Sequence, residues 1–118
     1  MKEIMIKGIT SNNFNKFGKV IEYPGLSSKN KNKNLFRIIL EDRKARGWRI
    51  AYLVVRDKSI DRLEQHPGTF ESFEPIKGNA VLFVASRKNL SEIEKFRLNK
   101  PVILKKGLWH GVVTKGKS

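Results

Sequence analysis

The sequence predicts an all-β fold of the sandwich or barrel type, with one or two short helices. Short apolar segments rich in Val, Ile, Phe and Tyr recur along the chain with turn residues between them, and this spacing is typical of such folds. The chain has 118 residues, which is long enough for one core and too short for two, and 39% of them are hydrophobic. We therefore expect residues 1–118 to form a single domain.

The predicted strands are residues 19–23, 35–40, 48–55, 80–85, 101–104 and 108–114. In the third of them Trp48, Ile50 and Tyr52 alternate with Ala51 and Leu53, so both faces are apolar. A strand of this kind is covered on two sides, and we expect it to lie at the centre of a sheet. The candidate core residues are Leu53, Val55, Val81, Phe83 and Val112.

Two helices are predicted from capping and stop signals. The first begins at Thr10 or Ser11 and ends at Gly18, which would adopt the left-handed conformation of a C-terminal cap. The second begins at Asn89, where a glutamate three residues later resembles a capping box. Their apolar positions, expected to face the core, are Phe14 and Phe17 in the first and Leu90, Ile93 and Phe96 in the second.

The charge balance is strongly basic, with 25 Lys and Arg against 11 Asp and Glu and a net charge of +14. Such an excess suggests a polyanion as partner. However, Lys alternates with Asn over residues 29–33 without the interleaved aromatic residues that stack on bases, so a solvated loop over residues 24–34 is the better interpretation. Nucleic-acid binding therefore ranks last among the functions considered.

Several classes of protein are excluded or disfavoured by composition. The absence of cysteine excludes disulfides, thiolate zinc sites and thiol nucleophiles, and only two histidines are present. No apolar run approaches the roughly 20 residues that cross a bilayer, and the first nine residues lack the apolar stretch of a signal peptide. We expect a cytoplasmic protein without a membrane segment.

Residues able to support chemistry are concentrated in two stretches, 63–78 and 105–113. Glu64 and His66 stand two apart and so share a face of a strand, and Glu71 follows a Pro-Gly turn that could bring it back beside His66. His110 follows a turn at Gly107. If the two stretches pair, two imidazoles and one or two carboxylates converge, and such a set can ligate a divalent ion or act as acid and base. Either histidine taken singly is more often a hydrogen-bonded structural residue.

These spacings resemble the two cupin motifs. His66, Glu71 and Gly78 match the latter half of the first motif, and Gly107-Leu-Trp-His110 matches the Gly-x2-His core of the second. More narrowly, four stretches resemble the ureidoglycolate lyase family: Phe14-x-x-Phe-Gly-x-Val-Ile-Glu22, Leu63-Glu-x-His-Pro, Phe70-x-x-Phe-x-Pro75 and Gly107-x-Trp-His110. The chain departs from these patterns in five places: Glu64 stands for the first motif histidine, Gln65 for the family's Arg, the stretch Glu71-Ser-Phe-Glu74 for a family Gln near the Phe-x-Pro, Lys105 for Pro and Thr114 for Asn.

The resemblance implies a cupin-type double-stranded β-helix barrel, or jelly roll, and an enzyme that cleaves ureidoglycolate to glyoxylate and urea or acts on a related small carboxylate. The catalytic residues would be His66, Glu71 and His110, with His66 or Glu71 as base and His110 as acid. The same residues together with Glu64 would hold one divalent metal ion (Zn, Ni, Mn or Fe), unless the site works without metal. The substrate carboxylate would be bound by a basic residue beside a predicted strand end: Arg37, Arg49 or Lys105.

Two further expectations concern alternatives and assembly. A cupin that binds a metal or a small ligand without catalysis is the second hypothesis, and a basic nucleic-acid-associated protein is the third. Members of the family continue beyond the strand that carries His110, whereas this chain stops soon after it. Two explanations are open: a C-terminal tail is missing from this sequence, or another subunit closes the open sheet edge, and the second leads us to expect a homodimer formed by edge pairing or strand exchange.

Overall fold

The computed structural model describes residues 4–23, 36–86 and 88–114, and these residues form eight strands and no helix. Two sheets result, compatible with a cupin-type β-sandwich, and no closed barrel is formed by the described residues. The predicted all-β class is therefore confirmed. The strands are β1 (Ile6–Gly8), β2 (Gly18–Val20), β3 (Glu64–Gln65), β4 (Glu71–Phe73), β5 (Ala80–Ser86), β6 (Asn89–Arg97), β7 (Val102–Leu104) and β8 (Trp109–Thr114).

The larger sheet has the order β1-β6-β5-β8-β3, and the smaller sheet has the order β2-β7-β4. Strand β5 pairs antiparallel with both β6 and β8. Its sequence explains this central position, because Val81, Leu82, Val84 and Ala85 are buried on its two faces. Only β1 is parallel to its neighbour, β6.

The core is a cluster to which both sheets contribute. Phe96 of β6 lies edge-to-face against Phe14 and Phe17, with ring centroids 5.2 and 5.8 Å away. Other members come from β5 and β7: Leu82, Val84, Val102 and Leu104. This packing joins the two sheets and so determines where their facing side chains meet.

The first predicted helix is a series of turns. Amide groups of Phe14 and Gly18 donate to the carbonyls of Thr10 and Phe14, at 3.1 Å each, but residues 11–17 do not continue as a helix. Gly18 begins β2 instead of capping a helix, and its φ is not positive, as a left-handed cap would require. A β-carbon there would lie 1.8 Å from the carbonyl oxygen of Ile103, so glycine permits the close approach of β2 to β7.

The second predicted helix is also wrong, because residues 89–97 form β6, the longest described strand. The apolar residues of this segment are spaced by three, which favours a helix. However, the segment pairs with β5 on one side and β1 on the other, so its backbone groups form sheet hydrogen bonds instead. Phe96 is fully buried, whereas Leu90 is exposed. Sheet pairing therefore overrides the local helical pattern.

Four of the six predicted strands are present, as parts of β2, β5, β7 and β8. The predicted strand at 48–55 is absent, and Trp48, Ile50 and Tyr52 are exposed in place of being central. Residues 36–40 are not a strand either, and Leu35 and the predicted loop at 24–34 lie outside the described residues. Strands β1, β3 and β4 have two or three residues each, too few for a recognisable alternation.

The predicted core residues that lie on β5 and β8 are buried or partly buried, whereas those in residues 48–55 are not part of the core. Val81 is buried, Phe83 is partly buried, and Val112 packs against the core cluster. Leu53 is exposed and Val55 is only partly buried, because their segment joins neither sheet. No helix within the described ranges is long and apolar enough to cross a membrane.

The predicted open edge at the strand of His110 is not found. Strand β8 lies inside the larger sheet, between β5 and β3, although β3 pairs with it over two residues only. Beyond β3, the amide of Thr114 donates to the carbonyl of Asp57 at 2.8 Å, and the side chain of Ile60 packs against Gly111. The chain segment preceding β3 thus follows the rest of β8.

Candidate active site

The two histidines are brought together by the pairing of β3 with β8. Glu64 is the register partner of His110, and His66 follows β3 directly. A turn at Gly107, whose φ is 80°, leads into β8, and its amide donates to the carbonyl of His66 at 3.1 Å. The imidazole centroids are consequently 5.2 Å apart, close enough for a shared site.

Glu71 reaches the same place from the other sheet. It lies on β4, which pairs with β7 in the smaller sheet. Its carboxylate bridges the histidines: Oε1 is 3.8 Å from Nε2 of His66, and Oε2 is 3.0 Å from Nε2 of His110. The site therefore lies where the two sheets face each other, and Phe73 on β4 covers it with a ring 5.9 Å from that of His110.

The electrostatics of the site centre on His110, which is 5% exposed. Burial opposes protonation of this imidazole, but the interaction with Glu71 outweighs it and raises the pKa of His110 above its ordinary value. Contact with His110 in turn lowers the pKa of Glu71 against the opposing effect of burial, and the charges of His66 and Arg49 lower it further. Both shifts favour the form of the pair in which His110 is an imidazolium and Glu71 a carboxylate. Nδ1 of His110 lies 3.3 Å from the carbonyl oxygen of Leu108, which can accept a hydrogen bond from Nδ1–H.

One oxygen of Glu71 retains binding capacity. Oε2 is buried, and despite its short distance to Nε2 of His110 it accepts no hydrogen bond of good geometry from the described residues. A buried carboxylate oxygen in this state can accept a hydrogen bond from a hydroxyl or N–H group of a ligand. The site is therefore suited to a substrate that carries a hydroxyl or N–H group.

A metal could be held by a related set of residues. Ligand atoms of Glu64, His66 and His110 all lie within 4.8 Å of one another. Two imidazole nitrogens and one carboxylate oxygen suit Zn, Fe, Mn or Ni better than Ca or Mg. Bonds of roughly 2 Å to a common ion would require these atoms to close together slightly. Glu71 of the predicted metal set contacts both histidines but does not belong to this three-residue group.

The three residues predicted to bind the substrate carboxylate differ in their relation to Glu71. Arg49 is exposed, yet its charge acts on Glu71. Arg37 and Lys105 are exposed as well, and in the described part of the chain neither forms an ion pair with Glu71. The backbone amide of Lys105 instead donates to the carbonyl of Phe17 at 2.9 Å. Of the three, Arg49 is the residue that the fold associates with the site.

Sequence reasoning assigned no structural role to two residues beside the site, Lys106 and Gln65. Nζ of Lys106 pairs with Asp42 at 2.9 Å and lies 5.0 Å from the ring centroid of Phe70, the residue before Glu71. This ion pair lowers the pKa of Asp42 and ties residue 42 to the turn before β8. The amide of Gln65 donates to the carbonyl of Gly107 at 2.9 Å and so fixes the turn that precedes His110. Gln65 precedes His66 and Lys106 precedes Gly107, and this position next to a motif residue is the signal in the sequence that could have indicated their roles.

The family comparison agrees with this geometry. A family model described as ureidoglycolate lyase matches residues 1–117. The chain belongs to the ureidoglycolate lyase family. Searches of curated proteins and of solved structures find no match. The resemblance carried by the motifs around His66 and His110 is thereby confirmed at the level of the family, whereas the individual roles of the site residues stay predictions.

The ion pair between His110 and Glu71 predicts a stability maximum in mildly acidic solution. Because the pKa of His110 is raised, its contribution is complete below the ordinary value of 6.5 and is lost as pH rises through the folded-state pKa. Because the pKa of Glu71 is lowered, its contribution is complete above the ordinary value of 4.5 and is lost as pH falls through the folded-state pKa. We expect the free energy of unfolding to be highest between these two values.

Urea unfolding at a fixed protein concentration across this pH range measures the effect. In Glu71→Gln the dependence above pH 6.5 is expected to flatten, since the imidazolium loses its charged partner. An unchanged pH profile in this variant would show that the pair does not control stability.

Proposed function

We propose that this protein is a carbon-nitrogen lyase that cleaves ureidoglycolate, or a closely related small hydroxy acid, to glyoxylate and urea. The observation that carries the proposal is the bridge from Glu71 to both His66 and His110, in a chain of the ureidoglycolate lyase family. The family supports lyase chemistry, and the bridge supplies groups in two protonation states at one place.

The chemistry of the substrate determines what the site has to do. Ureidoglycolate carries a hydroxyl and a ureido nitrogen on one carbon. A base removes the hydroxyl proton, the electron pair forms the carbonyl of glyoxylate, the carbon-nitrogen bond breaks, and an acid protonates the leaving nitrogen to give urea. One proton is taken up and one is given, so the enzyme needs one base and one acid.

The three residues divide this work according to the surroundings of their side chains. His110 is the acid, because its contact with Glu71 raises its pKa and so favours the protonated imidazole. His66, whose side chain is 43% exposed, is the base and can pass its proton to water. Glu71 is a poor proton acceptor because its pKa is lowered, so it holds the His110 imidazolium in place and stabilises its charge.

The substrate carboxylate needs a cation, because an anion beside Glu71 is otherwise repelled. Arg49 fits this role best, since its charge already acts on Glu71. The net charge of +14 also favours the approach of a small anion. Arg37 and Lys105 are the other candidates from sequence.

A divalent metal would be held by Glu64, His66 and His110, whose ligand atoms cluster within 4.8 Å. When bound, it would polarise a substrate oxygen as a Lewis acid. An imidazole nitrogen that binds metal cannot also carry the transferred proton, so metal binding and acid-base use of His110 are alternatives. The same cluster favours a second candidate function, a cupin that binds metal or a small ligand without turnover.

The direct test is incubation of the purified protein with ureidoglycolate, with glyoxylate and urea measured in parallel. The proposal expects the two products in equal amounts, above the spontaneous rate. Elemental analysis of protein purified without added metal, followed by chelation and reloading, separates a metal-dependent from a metal-free site. Folded, metal-replete protein that releases no glyoxylate would contradict the lyase proposal, and metal binding without turnover would favour the second candidate.

A further inference from the structure

The part of the chain that carries Arg49 belongs to neither sheet. Residues 36–55, all of them described, contain no strand, and most of their side chains are exposed. Even so, the positive charge of Arg49 acts on Glu71 and contributes to its lowered pKa. A contact outside the two sheets must therefore hold this part of the chain near the site. We call residues 36–55 the exposed segment.

An ion pair joins the exposed segment to the turn before β8. Nζ of Lys106 lies 2.9 Å from Oδ2 of Asp42, and the side chain of Asp42 is 18% exposed. Oδ1 of the same carboxylate accepts a hydrogen bond from the amide of Lys44 at 3.0 Å, so both oxygens are engaged. Of the hydrogen bonds and ion pairs formed between described residues, this pair is the one that joins the exposed segment to the rest of the chain.

The ammonium group of the pair is also held from the side of the site. Nζ of Lys106 lies 5.0 Å from the ring centroid of Phe70, a distance at which a cation is attracted to an aromatic face, and Phe70 directly precedes Glu71. The residue after Lys106 is Gly107, whose amide donates to the carbonyl of His66 at 3.1 Å. The exposed segment is thus attached at a point that adjoins both Glu71 and His66.

We propose that Lys106 and Asp42 are positioning residues, and that their ion pair holds the exposed segment where Arg49 reaches the carboxylate of the substrate. This inference rests on the proposed function, because it concerns a small anionic substrate bound beside Glu71. Asp42 stands seven residues before Arg49, so a fixed carboxylate at position 42 limits the space that the guanidinium can occupy. The pair acts on the substrate through Arg49, since the ammonium group of Lys106 already has Asp42 as its partner.

Loss of the pair is expected to weaken substrate binding and to spare the chemical step, because the acid and the base are positioned by the sheets. Asp42→Asn and Lys106→Met should each raise KM for ureidoglycolate by about 5-fold and change kcat by less than about 2-fold. The two residues form one unit, so the double variant should raise KM no further than either single variant. In an Arg49→Ala background, Asp42→Asn should leave KM unchanged, because the group that it positions is gone.

Glu41→Gln is the matched control for Asp42→Asn. Glu41 neighbours Asp42, and its ion pair with Arg43, at 3.0 Å, stays within the exposed segment. The control removes one acidic charge and one ion pair from the same stretch without releasing the segment, and its KM should equal that of the wild type. Because both pairs lie outside the sheets, all these variants should keep the thermal unfolding temperature of the wild type.

A second measurement needs no substrate. Trypsin cleaves after the basic residues of the exposed segment, and the rate follows the population in which the segment is released when release and reattachment are fast. Relative to cleavage after the exposed residue Lys77, Asp42→Asn should speed cleavage within the segment by about 5-fold, whereas Glu41→Gln should not change it. Mass spectrometry of the fragments identifies the positions that are cut.

Three results would overturn the proposal. Cleavage of Asp42→Asn at the wild-type rate would show that the pair does not hold the segment. Faster cleavage with an unchanged KM would show that the segment is held but does not position Arg49. A KM that rises in Lys106→Met and not in Asp42→Asn would mean that Lys106 binds the substrate directly. By contrast, a wild-type protein that releases no glyoxylate contradicts the proposed function, and the cleavage rates still decide whether the ion pair holds the segment.

Discussion

Replacing His110 with alanine is expected to lower kcat on ureidoglycolate by about 100-fold or more, because the leaving nitrogen loses its proton donor. His110 is buried and in contact with Glu71, so the variant removes the acid and leaves the carboxylate without its cation. His66→Ala should reduce kcat to a similar degree by removing the base. Steady-state release of glyoxylate, with thermal unfolding of each variant as a control for folding, measures both effects.

A matched surface variant separates chemistry from general damage. Lys19 is exposed on β2, away from the paired histidine strands, and Lys19→Ala should retain wild-type kcat. A folded His110→Ala protein with wild-type kcat would remove this residue from the mechanism. Equal retention in His66→Ala would shift the role of base to Glu71.

Replacing Phe96 with alanine is expected to reduce the free energy of unfolding by about 3–5 kcal/mol. Phe96 is fully buried, and its ring contacts Phe14 and Phe17 edge-to-face at the junction of the two sheets. The loss of this ring leaves a cavity in the core that aligns the sheet of Glu71 with the sheet of the histidines. Urea unfolding at constant protein concentration measures the difference.

The control for this substitution lies on the same strand. Leu90 is 47% exposed on β6, and Leu90→Ala should cost less than about 1 kcal/mol. A Phe96→Ala protein that is as stable as Leu90→Ala would mean that the aromatic cluster does not carry the core.

The site could be anticipated from sequence because its spacing is local. His66 and Glu71 are separated by one turn, and Gly107 precedes His110 by three residues, so each half of the motif is defined by a few neighbouring residues. The structure places the imidazole centroids of His66 and His110 5.2 Å apart, which is close enough for the two halves of the motif to form one site. The bridging geometry of Glu71 could not be predicted, because it depends on packing β4 of one sheet against β3 and β8 of the other.

The strands of the core were predictable for a similar reason. A continuous apolar run such as that of β5 favours a strand that is covered on two faces, and the sequence accordingly predicts a strand at residues 80–85. Residues 48–55 have the same character and yet join neither sheet of the described chain. Whether such a run pairs depends on a partner strand elsewhere, which no local pattern reveals.

The sequence by itself thus determined the all-β class, the presence of a strand at residues 80–85 and the residues that meet at the site, because these follow from local apolar patterns and from short motif spacings. It assigned the central position to residues 48–55, and the tertiary structure gives that position to β5. The tertiary structure alone decided that residues 89–97 extend as a strand, since pairing on both sides outweighs the apolar spacing of three that favours a helix. It also decided the directions in which the pKa values of the site are shifted. The pKa shifts of His110 and Glu71 arise from burial and from a 3.0 Å contact between residues 39 positions apart, and both require the two sheets to pack together.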